Sequence, residues 1–229
     1  MQTRKLAAAT SAAIALAICG PAASQERHDA STFAYGKVGA TGLAAGLGWV
    51  ANDQFALRLG AAGGAEYKGK YRANGGDYGV KRKFDRSLEA FADWYPSPGN
   101  GFRLTAGVLI SDAKSSLSGR TNRDGHYVIN NTAYTTSSVG DLSGTMRHNR
   151  VAPYLGLGWE SAHPGQRGWR FVSDAGFHYF GNARTSLHAS GAATNAGLRQ
   201  DLEADRRRLD SRQRNAISAA LSVGAAYSF

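Results

Sequence analysis

The last fifteen residues, Asn215–Phe229 (NAISAALSVGAAYSF), alternate between two kinds of side chain with a period of two. One face of this segment carries only alanine, serine and glycine. A soluble sheet normally turns a polar face to water, whereas uniformly tiny residues suit the cramped interior of a small barrel. The segment therefore predicts a barrel strand whose outer face carries Ile217, Ala219, Leu221, Val223, Ala225, Tyr227 and Phe229.

The same alternation recurs in seven earlier segments. Lengths of roughly nine residues or more suit a tilted transmembrane strand, and bacterial single-chain barrels have an even number of strands. We therefore predict an all-β fold, an eight-stranded antiparallel transmembrane β-barrel. Its other strands are Phe33–Gly39, Leu43–Ala51, Phe55–Tyr67, Ser87–Tyr95, Phe102–Asp112, Val151–Glu160 and Trp169–Phe180.

The connections between these strands alternate in length. Short periplasmic turns and long outer loops are typical of outer-membrane barrels. The short turns are Asn52-Asp53, residues 96–101 and residues 163–166, and the long loops are Lys68–Lys83, Ser118–Asn149 and His188–Arg214.

Two of the long loops have patterns of their own. Extended residues on either side of Asn130-Asn131 predict a tight hairpin formed by 127–129 and 132–134. In the last loop Leu198, Leu202 and Leu209 stand among charged residues. This spacing fits a short amphipathic helix, and the charges fit a solvated loop equally well.

The N-terminus has the features of a secretory signal peptide. Arg4 and Lys5 precede an apolar stretch, Leu6–Ile18, and small residues at 22–24 suit cleavage before Gln25. The prediction is a signal peptide at 1–24 and a barrel at 25–229. Since the only cysteine, Cys19, lies in the signal, the mature chain has no disulfide framework and no cysteine-based metal site.

The chain is basic, with 27 Lys and Arg against 17 Asp and Glu. Such a balance suggests nucleic acid, an anionic membrane or acidic solutes as partners, and export argues against nucleic acid. No run of 18 apolar residues follows the signal, which excludes a helical membrane protein. We predict a monomer without cofactor in a Gram-negative outer membrane, in contact with its lipid and lipopolysaccharide.

Aromatic residues cluster beside the short turns. By strand parity they face outward, where aromatic rings form a girdle at one membrane interface. The predicted girdle comprises Trp49, Phe55, Trp94, Phe102, Trp159, Trp169, Tyr227 and Phe229.

Charged residues fall on the inward face of several strands. Isolated charges in a narrow lumen are costly and should pair, so they form either a structural salt-bridge ladder or a narrow polar pathway for small solutes. Inward glycines and alanines favour free volume and hence the pathway. The predicted lumen-lining residues are Lys37, Arg58, Glu66, Glu89, Asp93, Arg103, Glu160, Arg170 and Asp174.

The loop after the third strand is basic, with Lys68, Lys70, Arg72 and residues 81–83. It is either a solubilising loop or a rim that binds lipopolysaccharide phosphates or attracts anions. Enzymatic signals are weak, because none of the six histidines has metal-site spacing. His126 and His188, with serines nearby, leave only a lipid A-modifying enzyme as a minor alternative.

Three stretches resemble a family of outer-membrane porins associated with carbapenem susceptibility and ornithine uptake. They are Gly36–Gly60 (GKVGATGLAAGLGWVANDQFALRLG), Val151–Glu160 (VAPYLGLGWE) and Phe180–Gly191 (FGNARTSLHASG). The segment Tyr127–Asn149 is also similar, so the resemblance covers nearly the whole mature chain.

This resemblance implies an eight-stranded barrel that acts as a small channel for basic amino acids. It also implies that the barrel-assembly machinery recognises the C-terminal strand ending in Phe229. The basic loops depart from what uptake of a cation requires. A narrow porin-like channel for small solutes, amino acids among them, is the leading hypothesis, and a non-conducting structural or surface-interaction barrel is the alternative.

Overall fold

The computed structural model describes residues 31–73, 75–112 and 114–229, and the predicted signal peptide lies outside this range. The strands in chain order are β1 (Thr32–Gly39), β2 (Gly42–Asn52), β3 (Phe55–Ala73), β4 (Gly76–Phe84), β5 (Ser87–Trp94), β6 (Phe102–Ser111), β7 (Lys114–Arg120), β8 (His126–Ile129), β9 (Thr132–Thr135), β10 (Leu142–Arg147), β11 (Val151–Glu160), β12 (Gly168–Gly181), β13 (Arg184–Ala189) and β14 (Ala216–Ser228). The helices are α1 (Thr136–Val139) and α2 (Ala196–Arg212), with 3-10 turns at Pro98–Asn100 and Ser190–Ala193. No helix among the described residues is long and apolar enough to cross a bilayer.

Eight of these strands form the closed antiparallel barrel that the sequence predicts. Their order around the barrel is β1–β2–β3–β5–β6–β11–β12–β14. Closure occurs between β14 and β1, which pair from Phe33 opposite Ser228 to Gly39 opposite Ser222. The C-terminal strand therefore contacts both β12 and the first strand, and the barrel leaves no open edge.

The outer surface of the barrel is apolar. The exposed side chains include Leu43 at 73%, Leu155 at 69% and Leu221 at 68% exposure. A continuous band of this kind is unusual for a soluble monomer and is the surface that a barrel presents to the hydrocarbon of a bilayer.

The segments predicted as long loops are largely folded, because β3 continues beyond the barrel and further strands form next to the ends of β5, β6, β11 and β12. Residues 65–73 of β3 pair with β4, which pairs with β7, then β10 and β13. We call these five strands the cap sheet. The strands β1, β2 and β14 have no such continuation, so the cap sheet rises from one side of the barrel mouth.

A small hydrophobic core lies on the inner face of the cap sheet. The hairpin β8–β9 turns at Asn130 and Asn131, both with positive φ, which confirms the predicted hairpin. The amphipathic helix is also confirmed as α2. Its residues Leu198, Leu202 and Leu209 are buried in the cap core. The other buried members of that core are Ala73, Tyr78, Leu117, Ile129, Val139, Leu142, Met146, Ala183 and Ala189.

Helix α2 spans the space between the two edges of the cap sheet. At one edge the backbone N–H of Thr185 in β13 donates to Asp210 at 2.8 Å. At the other edge Arg212 donates to the backbone carbonyl of Arg72 in β3 at 2.5 Å. The cap sheet, the hairpin, α1 and α2 together form one folded unit, which we call the cap.

In strand β3, the set of residues that face inward changes where the strand passes from the barrel to the cap. Gly64 adopts a φ of +90°, and Ala65 on its far side packs against the buried cluster around Phe84. Simple alternation places Glu66 in the lumen, and the structure corrects this. Glu66 lies on the outward face of the cap sheet, where its carboxylate is 3.0 Å from Lys81.

Candidate functional site

The barrel lumen contains a balanced set of buried charges. Glu66 apart, every residue predicted to line the lumen is at most 9% exposed. Four of these residues are cations and four are anions, so the formal charge of the set is zero. They are Lys37, Arg58, Arg103 and Arg170 with Glu89, Asp93, Glu160 and Asp174.

Arg58 and Arg103 form the centre of this network. Arg58 donates to Asp93 at 2.6 Å and to Asp174 at 3.1 Å. Arg103 donates to Asp174 at 2.5 Å, lies 3.2 Å from Asp93 and also contacts Glu160. Each arginine therefore bridges carboxylates on different strands, and together they tie β3, β5, β6, β11 and β12 across the lumen.

The network extends toward both ends of the barrel. Near the short turns Arg170 donates to Glu160 at 2.5 Å and Tyr95 donates to the same carboxylate at 3.0 Å. Toward the cap Lys37 lies 2.9 Å from Glu89. Because each of these eight charges has an opposite charge within bonding distance, the network meets the condition for retaining ions in a low-dielectric interior.

Aromatic rings occupy the lumen between these charges, and they were not among the predicted lumen-lining residues. Tyr35, Phe91 and Tyr154 are each at most 5% exposed. The rings of Phe91 and Tyr154 lie 4.9 Å apart, and the Arg58 guanidinium lies 5.7 Å from the Tyr35 ring. The parity rule that located the charges also marks these positions as inward.

Inward glycines make room for these large side chains and leave little free volume. A Cβ atom at Gly46 would lie 2.5 Å from the Tyr35 hydroxyl, and one at Gly158 would lie 2.7 Å from the Arg103 guanidinium carbon. The sequence suggested that inward glycines favour an open pathway. The structure corrects that inference, because side chains of neighbouring strands fill the space.

Further apolar packing lies between the charged network and the cap. Phe84, Leu109, Ala152 and Phe180 form a buried cluster there. The guanidinium of Arg82 lies 4.8 Å from the Phe84 ring and 4.6 Å from the Phe180 ring. Arg82, which the sequence assigned to the basic rim, is thus on the inner face of the cap sheet.

The cavity at the cap end of the lumen is small. It measures about 20 Å³ and lies beneath the short connection between β1 and β2, lined by residues that include Lys37, Glu89 and His178. A site needs roughly 10–15 Å³ to hold one water. This cavity therefore has room for about one water molecule.

The aromatic residues of the predicted girdle point outward from the barrel at the short-turn end. Their exposed fractions range from 37% for Phe102 to 76% for Trp169, and Tyr227 is half-buried. The Trp169 and Tyr227 rings lie 5.2 Å apart, and those of Tyr227 and Phe229 lie 5.4 Å apart. The girdle is therefore continuous across β12, β14 and the chain end.

Hydrogen bonds to two aspartates on α2 hold the cap together. Asp201 accepts from the Tyr134 hydroxyl at 2.7 Å and from the Asn130 side chain at 2.9 Å. These bonds lower the pKa of Asp201. Burial, followed by the bond to Asp201, raises the pKa of Tyr134 to about 12. In the same way burial and a 2.7 Å bond to Asp205 raise the pKa of Tyr78.

The two histidines of the enzyme alternative, His126 and His188, lie on different strands of the cap. His126 begins β8 and His188 lies in β13. Within the described residues no group of three or more potential metal ligands comes together.

Two solved structures have a similar fold. CarO2 from Acinetobacter baumannii aligns with 86% of this chain and 98% of its own, at 21% identity and a TM-score of 0.58. CarO from the same organism aligns with 90% of this chain and all of its own, at 22% identity and a TM-score of 0.52. No family model and no curated protein matches the sequence. The chain thus has the fold of the CarO proteins, the carbapenem-associated outer-membrane family that its sequence resembles.

Proposed function

We propose that this protein is a Gram-negative outer-membrane barrel whose lumen is a structural ion-pair network and whose cap acts at the cell surface. The outer-membrane assignment is supported by the exposed apolar band, the aromatic girdle and the fold shared with the CarO proteins. Outer-membrane barrels have their longer connections on the extracellular side. The end of this barrel that carries the cap therefore faces the medium.

The observation that carries this proposal is the occupancy of the lumen. Arg103 and Asp93 have no exposed surface, and Arg58, Glu160 and Arg170 are at most 3% exposed. A solute of several heavy atoms would have to displace both these ion pairs and the apolar cluster above them. Separating buried pairs leaves uncompensated charges at a cost of several kcal/mol, which makes the closed lumen the stable state.

A narrow channel for small solutes, amino acids among them, is the second candidate. One observation favours it, the cavity of about 20 Å³ beneath the β1–β2 connection. On that side β1, β2 and β14 end without joining the cap sheet. Solutes would enter there and pass Lys37, Glu89 and Asp174, so rearrangement of this ion-pair group would be the gating step.

Single-channel recording separates the two candidates. The protein is purified in detergent, its folded state is checked by gel mobility without boiling, and it is inserted into a planar bilayer. The proposal expects a folded barrel that gives no reproducible current steps. Discrete steps whose ion selectivity changes in Arg103→Ala would refute it and establish the channel. A lipid A-modifying enzyme would instead change lipid A mass when the protein is expressed.

A further inference from the structure

We propose that the outward face of the cap sheet binds the phosphorylated sugar headgroup of an outer-leaflet glycolipid, with Arg147 and Arg184 at the centre of the site. The inference rests on the proposed outer-membrane location. It does not depend on whether the lumen conducts.

Strand register brings four cations into one row across the cap sheet. Lys83 lies opposite Lys114, Lys114 opposite Arg147, and Arg147 opposite Arg184. Directly opposed residues share one face of a sheet, and all four side chains are exposed. These residues are far apart in sequence, so only the register reveals the row.

Most of this row has no neutralising partner. Glu66 lies opposite Lys83 and 3.9 Å from its ammonium, but Glu66 is closer to Lys68 and Lys81. Among the described residues, no carboxylate lies within 4.0 Å of Lys114, Arg147 or Arg184. Like charges directly opposite one another destabilise a sheet. The row therefore costs folding energy that a bound anion would recover.

A groove lies beside the two arginines. It has a volume of about 630 Å³ and is formed where the pair β10–β13 separates from β11–β12. Two guanidinium groups give the planar, forked donors that suit phosphate oxygens, and hydroxyl and amide groups suit sugar hydroxyls. The residues that line the groove include Thr145, Arg147, Asn149, Asn182, Arg184 and Ser186.

The position of the row relative to the apolar band identifies the source of the phosphate. Ile110 in β6 and Val151 in β11 are exposed apolar residues at the cap ends of their strands, and Lys114 and Arg147 lie four residues from them along the chain, outside those strands. Four residues of fully extended chain span at most about 14 Å, so the row lies within about 14 Å of the edge of the apolar band. This is the level of headgroups and their attached sugars, so a membrane glycolipid is favoured over a soluble phosphate.

Lipid binding to the purified protein tests the proposal. Native mass spectrometry measures binding of diphosphorylated lipid A and of the same lipid after its phosphates are removed. We expect tight binding of the phosphorylated form alone. The double variant R147Q/R184Q should bind it at least about tenfold more weakly, because each charge-assisted hydrogen bond contributes substantially to binding.

A matched control makes the same change of charge elsewhere. R207Q/R208Q removes two exposed arginines from α2 and should bind lipid A as the wild type does. Unboiled gel mobility checks the fold of each variant. If the glutamine variant does not fold, R147K/R184K preserves the charge, loses the forked donors and should still bind several-fold more weakly.

Three results would overturn the proposal. They are equal binding of both lipids, equal losses in R147Q/R184Q and R207Q/R208Q, and displacement of lipid A by inorganic phosphate alone, which would indicate a free-phosphate site. Current steps from a protein that binds lipid A as expected would refute only the closed-lumen function. Absent lipid binding by a silent barrel would refute only this inference.

Discussion

Arg103 has no exposed surface and contacts three carboxylates on different strands, Asp93, Glu160 and Asp174. Parity identified it as inward, because a strand turns alternate residues to the same side. Its partners could not be identified in this way, since they come from segments up to 71 residues away. Contact across a lumen depends on the stagger of all eight strands.

Arg103→Ala should destabilise the barrel strongly. The substitution leaves three buried carboxylates short of one cation, and removing one partner of a buried pair typically costs about 3–5 kcal/mol. The free energy of unfolding in urea, followed by gel mobility in detergent, measures the loss. Arg150→Ala is the control, because its pair with Asp112 at 2.7 Å is exposed and should contribute less than about 1 kcal/mol. Equal losses in the two variants would contradict a structural role for the network.

Docking of the β8–β9 hairpin on α2 should depend on pH through Asp201. The pKa of Asp201 in the folded protein is lowered by hydrogen bonds from Tyr134 and Asn130. Its contribution to stability is therefore present above the unfolded pKa of about 3.9 and is lost as the pH falls through the folded value. The raised pKa of Tyr134, about 12, has the opposite consequence. Its contribution is complete below about pH 10 and is lost as the pH rises to 12.

Hydrogen exchange of residues 126–135 measures this dependence. After correction for intrinsic rates, protection should be greatest between about pH 4 and pH 10. Asp201→Asn should abolish the loss of protection at acidic pH. A wild-type profile that is flat on the acidic side would contradict the assignment.

Helix α2 is the element that closes the cap. Asn195 caps it by accepting from the Leu198 N–H at 3.0 Å, and its leucines recur on one side at helical spacing. This periodicity predicted the helix, but the surrounding charges allowed a solvated loop as well. The cap sheet provides the apolar surface that favours the helix, and that sheet was not recognised in the sequence.

Leu209→Ala should loosen the cap without unfolding the barrel. Leu209 has no exposed surface, and truncating a buried leucine to alanine costs about 2–5 kcal/mol. Limited proteolysis should cleave the cap faster, while the barrel core remains resistant. The control is Arg207→Ala, which changes an exposed residue of α2. This variant should be cleaved at the wild-type rate. Simultaneous loss of barrel and cap would show that the two unfold as one unit.

Phe229, the residue that follows β14, should be needed for assembly. The Phe229 N–H donates to the Thr32 carbonyl at 3.1 Å, at the seam where the barrel closes. Deleting Phe229 removes this bond and one ring of the girdle, so we expect less folded protein in outer-membrane fractions. Phe229→Tyr retains the ring and should assemble normally. Normal amounts of the deletion variant would remove the basis for the predicted recognition of this strand by the assembly machinery.

The closed hydrogen-bonded ring of strands governs the behaviour of the whole molecule. With no free edge and a paired interior, the barrel should resist unfolding by dodecyl sulfate at room temperature. The unboiled protein should migrate faster on a gel than the boiled protein. Identical migration would show that the barrel is open or unstable in detergent.

Local patterns in the sequence were sufficient to predict the barrel. Period-two alternation marked eight strands with bounds close to those observed, as at Phe102–Ser111, and it separated the apolar outer face from the charged inner one. These features are local, because the side on which a residue lies follows from its neighbours along the strand. The hairpin at Asn130-Asn131 was predicted for the same reason, since its two turn residues both tolerate positive φ.

The packing inside the lumen and the structure of the cap above it could not be predicted from these local patterns. Free volume depends on which side chains of different strands meet, and Gly46 and Gly158 accommodate a tyrosine and an arginine that are remote in sequence. The positive φ of Gly64 reverses the facing of Glu66. The row of Lys83, Lys114, Arg147 and Arg184 exists only through the register of the cap sheet. Register and packing join distant segments, and a local alternation pattern carries no information about which segments meet.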